Sequence, residues 1–307
     1  MVPIRDMNQS NSKAEYGLNR GNLKMIALFC MATDHFSLSI FESLLKRLEA
    51  DTLLYGSVTV ANIFLRLIGR LSFPIFCFFI VEGLIYTRNI YIYALRLLLL
   101  AVISEVPFDM MLYHEFYNTD RQNVFLTLLI GLITIHTIDG LFKKFAMKES
   151  MKYILSALVC TAAFYLSEVL NTDYSSGGVL CIVVIYLIGV GRHKFAAVIN
   201  VFGQTINFVT GMNFSLSSIL LAAGSIIFFT VVIYLCEKVP DTNARKMFGA
   251  FAALTCLNAF EFSTFANLYI MQFYNGRKGK KIGWVFYIFY PLHMLALAGL
   301  CKLVGLY

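Results

Sequence analysis

The feature that most limits this chain is a succession of long, continuous apolar runs separated by short polar breaks. They lie at approximately 23–44, 58–87, 90–112, 122–142, 151–170, 177–191, 195–212, 216–236, 247–275 and 284–306. Several are near 20 residues, the length that crosses a bilayer core of about 30 Å at about 1.5 Å per residue. A membrane β-barrel alternates apolar and polar positions over strands of roughly ten residues, and these runs do not alternate. The expectation is therefore an all-α, polytopic integral membrane bundle of about ten transmembrane helices. Composition agrees: 59% of the residues are hydrophobic and 14% charged, against about 45–50% and about 25% in soluble domains. Soluble and disordered classes are excluded.

Residues 1–22 form a polar tail, and 23–307 read as one transmembrane domain without repeat or linker. The first apolar run holds Asp34 and His35 and lacks a small-residue cleavage site, which argues against a removable signal peptide. Lys143, Lys144, Lys148 and Lys152 form one basic loop, and Arg192, His193 and Lys194 another. The positive-inside tendency puts both in the cytoplasm, with the N-terminus on the same side, in a multi-pass plasma (inner) membrane protein. The net charge of +7 then reflects loops beside an anionic leaflet, and nucleic acid is not an expected partner. The basic loop Arg277–Lys281 faces inward only if 247–275 bends back, near Asn258–Glu261; both arrangements stay open. Seven cysteines sit singly in apolar runs, as small hydrophobes rather than metal ligands. No metal is expected.

Ionisable residues inside a bilayer cost roughly 2.5–3.5 kcal/mol each on insertion scales, so each needs a partner, a cavity or a function. This chain carries many: Asp34, His35, Arg66, Arg70, Glu82, Arg96, Glu105, Asp109, His136, Asp139, Glu261 and His293. Lys24 and His35 are eleven residues apart, about three helical turns plus 20°, so they share a face roughly 16 Å apart along the axis. His35 then lies near the midplane, where a neutral imidazole can act as a general base. Asp34 points about 100° away and serves another neighbour or keeps the histidine's surroundings polar.

Arg66 and Arg70 share a helical face, Pro74 breaks the helix a turn later, and Glu82 is the expected counter-charge. Glu105 and Asp109 flank Pro107, where the helix ends or kinks. They can receive a cationic group such as an amine, or pair with Arg96 or Arg88. Gln122 and Asn123 offer uncharged hydrogen-bonding groups beside the same boundary. YNGRKGKK (274–281) can hold phosphates by charge and backbone N–H groups, or anchor to lipid. His293 follows Pro291, and its role is not readable from the sequence. There is no HExxH, GxSxG, Walker loop or helix-opening GxGxxG, which removes the usual signatures of metalloproteases, hydrolases and nucleotide-driven pumps.

The pieces LKMIALFCMATDHF (23–36), RLIGRLSFPIFCFFIVEG (66–83), the turn at Thr87–Asn89, SEVPFD (104–109), QNVFLTLLIG (122–131), YNGRKG (274–279) and FYIFYPLHM (286–294) resemble, in order, the TraX family. Its founding member is associated with N-terminal acetylation of conjugative pilin. The stretch from about 143 to 245 resembles it only in being hydrophobic. TraX-like proteins are similar to a wider superfamily of membrane acyltransferases of about ten helices. Many of those carry a basic residue, ten intervening residues and a histidine in the first helix, the spacing of Lys24 and His35. The resemblance implies acetyl-CoA as donor, reached from the cytoplasm, and His35 as catalytic base. The acceptor is then an amine or hydroxyl of a pilin, another peptide or an envelope molecule.

On that reading Asp34 keeps the base's surroundings polar, and Arg70, Gln122 or Asn123 faces the developing oxyanion. Lys24, Arg277, Lys278, Lys280 and Lys281 take the CoA phosphates. Glu82, Arg96, Glu105 and Asp109 bind the acceptor. Two alternatives belong to other classes. A proton-coupled carrier also uses buried charges and broken helices, though no paired interrupted helices appear in two halves. A non-catalytic pilus or envelope assembly factor leaves the cost of the buried charges unexplained.

Overall fold

Four of the described helix starts are written by polar caps. Asn19 accepts from the Asn22 N–H and opens α1 (Arg20–Phe36). Thr52 does the same for α3 (Leu53–Gly69), Asn89 for α5 (Ile90–Leu112) and Asn123 for α6 (Val124–Lys144). Each side-chain oxygen satisfies a backbone donor that the helix leaves orphaned. Between these lie the short α2 (Glu42–Leu45) and α4 (Ser72–Tyr86), and afterwards α7 (Glu149–Val169), α8 (Ser175–Gly189), α9 (His193–Thr210) and α10 (Gly283–Leu303). The computed structural model describes residues 17–210, 223, 227, 231, 267, 269–271, 273–277, 279 and 283–306. Among these the fold is all-helical, and six helical segments are long and apolar enough to cross a membrane. The expected apolar runs at 216–236 and 247–275 lie outside the described residues, apart from a few positions.

The bundle is apolar inside and out. Helix α5 buries Leu97, Leu100, Ala101, Phe108 and Met111 while exposing Leu95, Leu98, Leu99, Val102 and Ile103. That outward stripe is affordable only where the solvent is lipid. Helix α8 is hydrophobic all round and buried from Ser176 to Ile188, surrounded by α4, α6, α7 and α9. Gly131 of α6 lets Ile182 approach, because a Cβ at that position would overlap it. The described cysteines, Cys30, Cys77, Cys160, Cys181 and Cys301, are buried and free.

One expected break falls elsewhere, and another does not end its helix. The interruption before α4 falls at Arg70–Leu71, and Pro74 sits inside the first turn of α4. A proline there removes an N–H that has no intrahelical partner anyway, so it starts a helix more readily than it stops one. Helix α5 runs through Pro107 to Leu112, because helix packing on both sides holds the turn that lost a hydrogen bond.

Helices α1, α5 and α10 start, and α4, α6 and α8 finish, at one end of the bundle. This end is basic, carrying Arg20, Lys24, Arg88, Arg96, Lys143, Lys144 and Arg192. Arg277 belongs to it too: its carbonyl accepts from the Arg20 N–H at 2.8 Å, beside a bridge between Leu18 and Tyr274. The basic loop thus opens on the side of the N-terminus. Lys278, Lys280 and Lys281 lie outside the described residues.

Candidate functional site

Two adjacent chambers lie between the basic end and the interior of the bundle. The outer chamber, with about 440 Å³ of space, is lined by Arg20, Lys24, Glu82, Arg88, Arg96 and Tyr287. Glu82 is fully engaged there: Arg20 Nε donates to it at 3.0 Å and the Tyr274 hydroxyl at 2.8 Å. Burial and Glu82 hold the Tyr274 phenol above its ordinary pKa, so it remains a donor. Lys24, Arg88 and Arg96 make no ion pair among the described residues. The Lys24 ammonium lies 5.1 Å from the ring centres of both Phe79 and Phe286. The inner chamber, about 140 Å³, is a mostly apolar throat sharing Lys24, Phe79, Tyr93 and Tyr287 with the outer one. Leu28 and Met31 of α1 line it one and two turns beyond Lys24, and Tyr290 of α10 is part of the same lining.

His35 stands one turn past Met31 with its ring against Tyr290, centroids 6.0 Å apart and nearly perpendicular. Its Nδ1 is 2.7 Å from Nε2 of His293, and Nδ1 of His293 is 2.7 Å from the Phe289 carbonyl. Just beyond His35 the helix loosens into a π-turn at Ser37–Phe41, and the Ser39 hydroxyl donates to the His35 carbonyl at 2.7 Å. His293 is thus a site residue that sequence reasoning left without a role. Its helix packs on α1 and α5, a pairing that the sequence does not encode.

Asp34 faces α3, where its Oδ2 accepts from Arg66 Nη1 at 2.7 Å. The expected Arg66–Glu82 pair is not made. Sixteen residues separate them, about 24 Å of helical rise, and the two sit at opposite depths. Arg66 also approaches Glu42 at 4.0 Å, and the charge of Arg70 reaches Asp173 and Tyr174. Gly69 permits this packing, since a Cβ there would collide with the Asp34 side chain.

Glu105, Asp109 and Asn123 gather at the end opposite the basic chamber, so of the two alternatives the pairing with Arg96 or Arg88 is not made. Nine residues of α5, about 13 Å, separate Arg96 from Glu105. Asn123 donates to the Ala101 carbonyl at 2.7 Å and to Glu105, and accepts from Phe125 N–H. Its amide is therefore committed to holding α5 against α6. Asp109 accepts from Asn118 N–H at 2.9 Å, fixing the loop after α5. Gln122 pairs through its backbone with Asn171 and Asp173. Tyr290 lies within electrostatic reach of Glu105, Asp173 and Tyr174, which ties this end to His35.

Asp173 lies outside the spanning helices, with Arg121 at 3.9 Å. Burial, and secondarily Asp34, push its carboxyl up to about 6 against the opposing pull of Arg121 and Arg70. The fold therefore binds this proton more tightly than the unfolded chain, whose value is 3.8. The associated stabilisation is complete below the unfolded value and is lost as pH rises through about 6. Asp173→Asn should flatten the melting-temperature profile in detergent between pH of about 4 and about 6. Identical slopes in the two proteins would exclude Asp173 as the source.

No solved structure matches the chain. A protein of Dichelobacter nodosus named "Probable fimbrial assembly protein FimC, serogroup H1" is 31% identical over 120 residues, covering 37% of this chain and 43% of that protein. The chain thus spans less than half the length of this relative. The family model described as TraX protein matches residues 19–257, from the cap of α1 through the Asp34–Arg66 pair, the α5–α6 corner and α8, though not α10 with His293. The match takes in well over half the sequence, and the chain belongs to the TraX family.

Proposed function

We propose that this chain is a membrane-embedded acetyltransferase that moves an acetyl group from acetyl-CoA to an amine or hydroxyl acceptor, with His35 as general base. The observation that carries this reading is the order of surfaces along the chambers: cations at the mouth of which Lys24, Arg88 and Arg96 have no ion pair among the described residues, an apolar throat, and a histidine packed on Tyr290 of the throat's lining. A polyphosphate head and a slender pantetheine arm call for that order.

His35 takes the proton from the acceptor N–H or O–H as that atom bonds to the acetyl carbon. The C–S bond breaks, and the departing CoA thiolate recovers the proton. Arg70 is assigned to the developing oxyanion. Lys24, Arg88 and Arg96 are assigned to the phosphates with Arg277 near the rim, which moves Arg96 from the acceptor to the donor side. Glu105 and Asp109 remain on the acceptor side. The basic end is assigned to the cytoplasm and the protein to the inner membrane. A count of about ten spans rests on 216–236 and 247–275.

A second reading, a non-catalytic assembly factor, is favoured by the printed name of the fimbrial relative. It predicts tight co-purification with a partner and indifference to acetyl-CoA. Calorimetric titration of the detergent-purified protein with acetyl-CoA, with free CoA as competitor, separates the two. Saturable binding weakened about tenfold in Lys24→Ala or Arg96→Ala, worth about 1.4 kcal/mol, is expected. Absence of binding at millimolar acetyl-CoA in a folded, monodisperse sample overturns the acetyltransferase reading.

A further inference from the structure

We infer that His293 is a positioning residue that holds His35 in one tautomer, with its proton on Nδ1 and its Nε2 lone pair free to accept a proton. The inference rests on the reading of His35 as the base. A backbone carbonyl can only accept, so the 2.7 Å contact between His293 Nδ1 and the Phe289 carbonyl places a hydrogen on that nitrogen. A neutral His293 then presents Nε2 as an acceptor. The atom facing it at 2.7 Å is His35 Nδ1, which must donate. In a neutral His35 this leaves Nε2 as the lone pair.

The arrangement is stiff. The two imidazole planes are within 4° of parallel, and Tyr290 sets its ring roughly at right angles to both. Phe289 stacks on His293 with centroids 4.7 Å apart. The anchoring carbonyl belongs to the same helix, one turn earlier. Asp34, though next to His35 in the chain, is turned to Arg66, so the group that orients the base is a neutral imidazole from α10. When Nε2 of His35 takes a proton, its Nδ1–H becomes a charged donor to His293, and that hydrogen bond strengthens as the base is used.

The test reads the tautomer directly and the activity separately. Ring-15N-labelled histidine is incorporated into the whole protein in detergent, with His35 assigned by the signal missing in His35→Gln. The expected result is an Nδ1–H neutral His35 in the wild type and a shift toward Nε2–H in His293→Ala. His293→Gln, whose carbonyl can accept from His35, should restore the Nδ1–H form. In parallel, kcat for acetyl transfer should fall about 100-fold in His293→Ala at unchanged KM for acetyl-CoA, with at least about tenfold recovered in His293→Gln. An Nε2–H His35 in the wild type overturns the inference even if both variants misfold. So does a His293→Ala protein with wild-type tautomer or kcat. A wild type that holds the Nδ1–H tautomer yet transfers no acetyl group overturns the acetyltransferase reading and leaves the pinned histidine standing.

Discussion

His35→Ala is expected to lower acetyl transfer by about 10²–10⁴-fold, the usual worth of a positioned general base, while acetyl-CoA still binds. Separation of the two effects follows from depth. The cations assigned to the donor's phosphates lie near the mouth, and His35 is about 16 Å further along α1 than Lys24. Truncating the imidazole removes one hydrogen bond to His293 and leaves the Asp34–Arg66 pair in place. A folded variant should therefore retain its melting temperature within a few degrees. The measurement is transfer of radiolabelled acetyl in membranes supplied with the natural envelope fraction, alongside titration calorimetry on the purified protein. Wild-type turnover in this variant would sink the assignment of His35 as base. Loss of donor binding together with turnover would move His35 from chemistry to folding.

The sequence discloses the elements better than their pairings. The apolar runs at 23–44, 58–87, 90–112 and 122–142 locate α1, α3 with α4, α5 and α6, because hydropathy is local, while the exact starts are set by the caps Asn19, Thr52, Asn89 and Asn123 that the structure shows. The facing of Lys24, Leu28, Met31 and His35 along one stripe is equally local, set by the 3.6-residue turn. Pairing across helices depends on depth and rotation, which no single run encodes. Arg66 finds Asp34 instead of Glu82, and Arg96 lines the basic chamber at the far end of α5 from Glu105. Axial rise alone excludes both expected pairs, since oppositely charged ends of one long helical segment do not meet. His293 stays hidden for a different reason: its partners are a ring on another helix and a backbone carbonyl, and neither leaves a mark in composition. The side on which Arg277 lies is likewise decided by a backbone contact with Arg20.

Asp34→Ala is expected to be the most destabilising single charge removal in the inner half of the site, by about 2–3 kcal/mol. Breaking a fully buried pair costs about 3–5 kcal/mol; Asp34 and Arg66 are 15% and 25% exposed, which lowers the figure. The cause is what remains. Without the carboxylate, Arg66 of α3 and Arg70 just past its end stand one helical turn apart in a medium of low dielectric, with Glu42 at 4.0 Å as the nearer compensation for Arg66. Replacing both partners, as Asp34→Leu with Arg66→Leu, removes the stranded charge and should recover more than half of the loss. Gly69→Ala reaches the same interaction by a steric route, because its new methyl group takes the space of the Asp34 side chain and must push α1 from α3 or rotate the carboxylate off Arg66. Thermal unfolding of the wild type, Asp34→Leu, Arg66→Leu and the double variant in one detergent gives the coupling energy directly. A coupling of at least about 1.5 kcal/mol is expected. A value near zero would mean that the pair is solvated in the folded protein, and that the cost of Gly69→Ala comes from helix packing alone.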